Sequence, residues 1–79
     1  MSELEFMRII GKNIKYELED AWMTQKELAE ATGISRSTIS KYINAEVMPS
    51  LVNINNIANV LDCSIDKLIG HNREMIERY

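Results

Sequence analysis

Apolar residues recur at helical spacing along most of this chain, in runs separated by small polar residues and glycine. In the first run Ile10, Ile14 and Leu18 return every four residues and share one helical face, which Met7 can extend toward the N-terminus; a helix over about Glu3 to Asp20 is predicted. Thr24 and Glu27 stand at capping-box spacing and can open a second helix, with Ala29 small enough for a neighbouring helix to cross closely and Gly33 as the breaker. Ser35 then caps a third helix by accepting a backbone N–H, and Ile39, Tyr42 and Ile43 fall together on one of its sides. After Pro49, Ser50 caps a fourth helix, whose buried stripe is predicted to be Leu51, Ile54, Ile57, Ala58 and Leu61, with its four asparagines mostly facing water. Ser64 opens a short fifth helix ending at Gly70, and residues 71–79, HNREMIERY, are compatible with a further helical turn or two. No stretch alternates with a period of two, so the predicted fold class is all-α, a four- to five-helix unit without strands.

The second and third helices meet at a tight corner. Gly33 ends one, Ser35 caps the next, and Ile34 and Ile39 supply apolar contacts that would hold the pair at a fixed angle, which makes residues 24–44 a helix-turn-helix. Advancing about 100° per residue places Arg36, Ser37, Ser40, Lys41 and Asn44 within one arc of about 140° on the third helix, away from Ile39, Tyr42 and Ile43. That arc contains two cations, two hydroxyls, an amide and no carboxylate, so it can approach phosphates and base edges without like-charge repulsion. Arg36 can form a bidentate contact with guanine in the major groove, Lys41 can reach guanine acceptors or phosphate, and Ser37 and Ser40 offer shorter, less discriminating hydrogen bonds. Gln25, in the first turn of its helix, can join the free backbone N–H groups in holding a phosphate oxygen.

TQKELAEATGIS followed by SRSTISKYIN resembles the Cro and repressor-like (XRE-like) helix-turn-helix proteins of phages and bacteria. Gln25, Leu28, Ala29, Gly33, Ile34 and Ile39 fall where that family places its polar opener, small crossing residue, turn glycine and buried aliphatics. The segment IGKNI, residues 10–14, is similar to the family's first helix, and residues 48–70 are similar to its fourth and fifth. The resemblance implies a lambda-repressor-like DNA-binding domain with a recognition helix at 36–44. It also implies base reading by Arg36, Ser37 and Lys41 and phosphate contacts at Gln25, Ser35 and Asn44. The implied partner is a double-stranded DNA operator, and the implied activity is transcriptional regulation, with repression by occupying a promoter as the leading expectation. Two alternatives stay open: an antitoxin that also represses its own operon, and a protein-interaction module, bound to a toxin or regulator, that has lost DNA binding. In one place the chain departs from the pattern. Where the family often has leucine followed by a phosphate-binding arginine, Glu17 and Leu18 stand here; this leaves Lys12 or Lys15 to supply the contact and allows the buried face of the first helix to rotate.

Composition narrows the picture. With 79 residues and 46% hydrophobic side chains the chain can bury the core of one small domain, residues 1–79. Nine cations against twelve acids leave a net charge of −3, so DNA must be held by a local positive field, and a shallow salt dependence is expected because few counterions are released per subunit. One cysteine, no leader pattern and no apolar stretch near the roughly 20 residues a bilayer requires point to a cytoplasmic protein. Cys63 is expected to be a buried thiol before the last helix rather than a redox sensor. His71 is solitary, so neither a metal site nor a nucleophile–base pair can be assembled; no cofactor and no catalytic residues are expected. Glu17, Glu19 and Asp20 are read as a solvated helix end, and Trp22, where the family commonly has glycine, as a ring folded onto the first helix. Because one recognition helix reads only a few base pairs, a homodimer is expected, with Ile69, Met75, Ile76 and Tyr79 as its apolar contact.

Overall fold

The computed structural model describes residues 1–70, which form five helices: α1 (Glu3–Asp20), α2 (Gln25–Thr32), α3 (Arg36–Ile43), α4 (Leu51–Val60) and α5 (Ile65–Ile69). The further turn expected at residues 71–79, and the interface residues Met75, Ile76 and Tyr79, lie outside the described residues. Every helix opens on a serine or threonine whose hydroxyl accepts from the backbone N–H three residues on: Ser2, Thr24, Ser35, Ser50 and Ser64. At Thr24 the box is complete, because the Glu27 carboxylate accepts the Thr24 N–H at 2.9 Å while the Thr24 hydroxyl accepts the Glu27 N–H at 3.1 Å. These bonds lower the Glu27 pKa, so their stabilisation is present above the ordinary carboxylate range and is lost as pH falls through it.

Ile10, Ile14 and Leu18 of α1 meet Leu28 and Ala29 of α2, Ile39 and Tyr42 of α3, Ile54, Ile57 and Ala58 of α4, Leu61 and Leu68 in one core. α1 packs on α3 and α5, α2 on α3 and α4, and α4 on α5. Two side-chain bonds tie elements distant in sequence: Asn13 Nδ2 donates to the Leu68 carbonyl at 2.9 Å, and Asn53 Nδ2 donates to the Tyr42 hydroxyl at 2.7 Å. Among the described residues no helix is long and apolar enough to cross a membrane.

Four expectations need correction. The buried face of α1 is not rotated, since Leu18 lies in the core with Ile10 and Ile14; Glu17 joins them, only 7% exposed, with Lys67 Nζ of α5 at 3.7 Å. It is therefore no part of a solvated helix end, and the reason is that α5 packs over the flank of α1 that carries it. Leu51, predicted in the stripe of α4, is 73% exposed, because as the first residue of that helix it projects past the neighbours that cover Ile54, Ile57 and Ala58. Trp22 is 94% exposed and does not fold onto α1. Cys63 is half-buried against the core, where desolvation first and the Glu17 carboxylate second push its thiol pKa up, which keeps it protonated.

The backbone explains part of the behaviour of Trp22. It has a φ of 56°, and its N–H reaches the Glu19 carbonyl while that of Met23 reaches Leu18, the pair of bonds that closes a Schellman motif. Ala45 and Asp62 close α3 and α4 in the same way, with φ of 58° and 56°. A side chain in this left-handed region costs about 1–2 kcal/mol, partly offset by the entropy glycine loses on folding. Because the indole makes so little contact, Trp22→Gly is expected to stabilise the protein by about 0.5–1 kcal/mol, read as a raised midpoint in thermal unfolding.

Candidate nucleic-acid interface

The corner between α2 and α3 is built locally. Gly33 adopts a φ of 76° and its N–H bonds the Ala29 carbonyl at 2.9 Å. The Thr32 hydroxyl donates back to the Leu28 carbonyl at 2.8 Å and accepts the Ile34 N–H at 3.2 Å, bracing the chain as it turns. Leu28, Ala29 and Ile39 are buried behind this corner, and Ile34 packs partly against them. α3 is thereby held on one side by α2. On the other it rests on α1, where Gly11 lies so close that an added Cβ would stand 2.5 Å from the Ile43 carbonyl oxygen and 2.6 Å from that of Tyr42. This contact escaped sequence reasoning; the available signal was a glycine inside a strong helical pattern.

The expected arc is on the surface. Arg36, Ser37, Lys41 and Asn44 are exposed and Ser40 is half-buried, while Ile39 and Tyr42 are buried opposite them. Asn44 is the C-cap of α3, and its amide donates to the Ser40 hydroxyl at 3.4 Å. Lys41 lies in the last turn, where a cation suits the exposed carbonyls, but Arg36 occupies the first turn against the helix dipole, and that turn of α3 carries no acid of its own. A cation kept where the local electrostatics disfavour it is a feature of binding sites more than of folding. Gln25 is the half-buried first residue of α2. Ser35 caps α3 and donates its proton to Thr38 Oγ1 at 2.8 Å, so a phosphate contact by Ser35 requires that bond to be exchanged.

Two residues outside the sequence-derived set share this surface. Lys26 and Glu30 of α2 line a shallow depression together with Gly33, Ile34, Ser35 and Arg36. Lys26 adds a cation beside Gln25. Glu30 brings a carboxylate into the depression that Arg36 also lines, although α3 itself carries none, an arrangement that depends on the crossing of two helices.

A helix-turn-helix with an exposed, carboxylate-free second helix defines a class of DNA-binding proteins. The helix-turn-helix (HTH_3) family model matches residues 14–68, more than half of the chain, and the chain belongs to that family. Its members are typically non-enzymatic DNA-binding proteins, and the family supports a role in DNA-binding transcription regulation. The chain is 35% identical over 75 residues to the replication factor C small subunit of Methanocaldococcus jannaschii, covering 95% of this chain and 4% of that protein. It is 40% identical over 47 residues to the cryptic phage CTXphi transcriptional repressor RstR of Vibrio cholerae, covering 60% of this chain and 42% of the repressor. The chain thus spans less than half the length of either relative. Among solved structures, the restriction-modification controller protein C.AhdI from Aeromonas hydrophila superposes with a TM-score of 0.76 at 26% identity, over 78% of this chain and 94% of that one. The all-α, lambda-repressor-like architecture agrees with that neighbour.

Proposed function

We propose that this chain is a sequence-specific double-stranded DNA-binding regulator that represses by occupying a promoter, with residues 36–44 as the recognition helix in the major groove. The observation that carries the reading is the exposed arc of α3, cationic and free of carboxylates in a chain of net charge −3. In this reading Arg36 and Lys41 read guanine acceptors, Ser37 and Ser40 add shorter contacts, and Gln25, Ser35 and Asn44 hold phosphates. Two copies on neighbouring half-sites would supply specificity that one short helix lacks. The relatives that are a phage repressor and a controller protein support the regulatory half of the proposal.

The test is selection of bound duplexes from a random DNA pool followed by fluorescence anisotropy. A short shared sequence and saturable binding are expected, whereas no binding even at low salt would remove DNA as the ligand. Glu30 offers a further check. Removing its charge from the depression it shares with Arg36 takes away repulsion from the approaching phosphates, so Glu30→Gln is expected to tighten DNA binding about two- to fivefold in the same titration.

A second reading, a protein partner, has one observation in its favour: the exposed Trp22 held at positive φ. It would show as capture of a partner that is lost in Trp22→Gly, with DNA binding unchanged.

A further inference from the structure

Three helices of the chain end in the same backbone motif, at Trp22, Ala45 and Asp62. Alanine and aspartate serve at two of these positions, so the motif itself has no need of a ring at the third. Trp22 is nevertheless the one tryptophan of the chain, and it stands 94% exposed. Neither the backbone nor the core accounts for it. The last turn of α1, just before it, carries Glu19 and Asp20, both exposed, and no basic residue, although the carbonyl end of a helix is already electronegative. Among the described residues neither carboxylate takes part in an ion pair, not even with Lys15 one turn before Glu19. Tyr16, also exposed, shares an arc of about 100° with both of them on α1. Two uncovered aromatic rings thus accompany two unpaired carboxylates at the negative end of an 18-residue helix.

We propose that this end of α1 docks a basic, arginine-containing segment of a partner protein. A guanidinium can lie flat on the indole, whose face is electron-rich, while its N–H groups donate to a neighbouring carboxylate; both attractions act on the same group. The ammonium of lysine is a more strongly hydrated point charge and fits such a surface less well. Nucleic acid and other polyanions are repelled by Glu19, Asp20 and the helix end, and a second copy, of net charge −3, is a poorer match than a cationic segment. A ring that projects this far is covered by a surface brought to it rather than by a small molecule in a cavity, and tryptophan and arginine are the residues that most often anchor such contacts. Such docking rests on the partner reading of Trp22 and is independent of DNA binding.

A fluorescein-labelled peptide of alternating arginine and glycine, titrated with the full chain without DNA at about 0.15 M salt, tests the site by anisotropy. Saturable binding with a dissociation constant of about 10–100 µM is expected, together with a change in the emission of Trp22, the only indole present. Trp22→Ala, a side chain that the same backbone position accepts at Ala45, is expected to weaken binding about three- to tenfold, and so is Glu19→Gln with Asp20→Asn. Glu3→Gln with Glu5→Gln removes the same charge from the exposed first turn, roughly 25 Å away along α1, and is expected to change binding less than about twofold. The corresponding lysine and glycine peptide is expected to bind more weakly; equal binding would overturn the assignment to arginine. Equal losses in the two charge-removing pairs would mean diffuse attraction to an acidic chain and overturn the proposal, as would no binding at about 1 mM chain. A change in Trp22 emission with protein concentration alone would make a second copy the occupant, with the same consequence. A partner that is captured through Trp22 but contacts it without a basic segment would keep the partner reading and overturn this one.

Discussion

Replacing Arg36 and Lys41 together by alanine is expected to weaken specific DNA binding by about 4 kcal/mol, roughly a thousandfold, because each good contact to a base pair contributes about 1–3 kcal/mol. Folding should be untouched. Both side chains are exposed, surface replacements of this kind usually change stability by less than about 0.5 kcal/mol, and removing Arg36 also relieves an unfavourable charge at the start of α3. Fluorescence anisotropy on a selected duplex measures the loss, and circular dichroism confirms that helix content is retained. Arg36→Lys separates the two roles a cation can play there. If Arg36 reads guanine through its two-pronged guanidinium, lysine keeps the charge but loses discrimination at that base pair, so binding becomes less selective more than it becomes weaker. Full affinity in the double variant would show that α3 is not the reading surface.

Gly11→Ala is expected to destabilise the fold by about 1–3 kcal/mol, a large share of the marginal stability of a domain this size. Two effects oppose each other. Alanine in a helix interior is favoured over glycine by about 1 kcal/mol, which by itself would stabilise α1. Against that, the new methyl would stand 2.5 and 2.6 Å from two carbonyl oxygens, and both belong to the backbone of α3 rather than to a side chain that could swing aside. Relief requires the end of α3 to move away from α1, and with it Tyr42, Ile39 and their core contacts, so overpacking wins. Urea unfolding measures the loss. Since the displaced element is the proposed reading helix, the folded fraction should also bind DNA less tightly; an alanine variant as stable as the unaltered protein would mean that α1 and α3 are not pressed together at Gly11. Gly11→Val should not fold at all.

Helix boundaries and caps were legible because they depend on neighbours in sequence. Thr24 with Glu27, Ser35, Ser50 and Ser64 each satisfy an N–H three residues on, and the α1 span is the one periodicity predicts. The exposure of Arg36, Ser37, Lys41 and Asn44 was legible for the same reason, since positions on one helix follow from its pitch. Leu51 was misread because periodicity finds the right face of a helix but not where along its length the neighbours stop. Glu17 was misread because composition at a helix end says nothing about a fifth helix returning over it. For Trp22 the backbone conformation was foreseeable at a position the family gives to glycine, but the direction of the ring was not, as no nearby element offers it an apolar bed.

By itself, then, the sequence determined the five helices, the caps of the last four, the glycine corner between α2 and α3 and the cationic arc of the third helix, all of which depend on bonds and spacings within a few residues. Tertiary structure alone decided that Gly11 carries the end of α3, that Lys26 and Glu30 share a depression with Arg36, that Glu17 is enclosed by α5, and that the Trp22 ring stands clear of α1. These depend on where helices cross, and a crossing is set by the fit of whole surfaces rather than by any one segment.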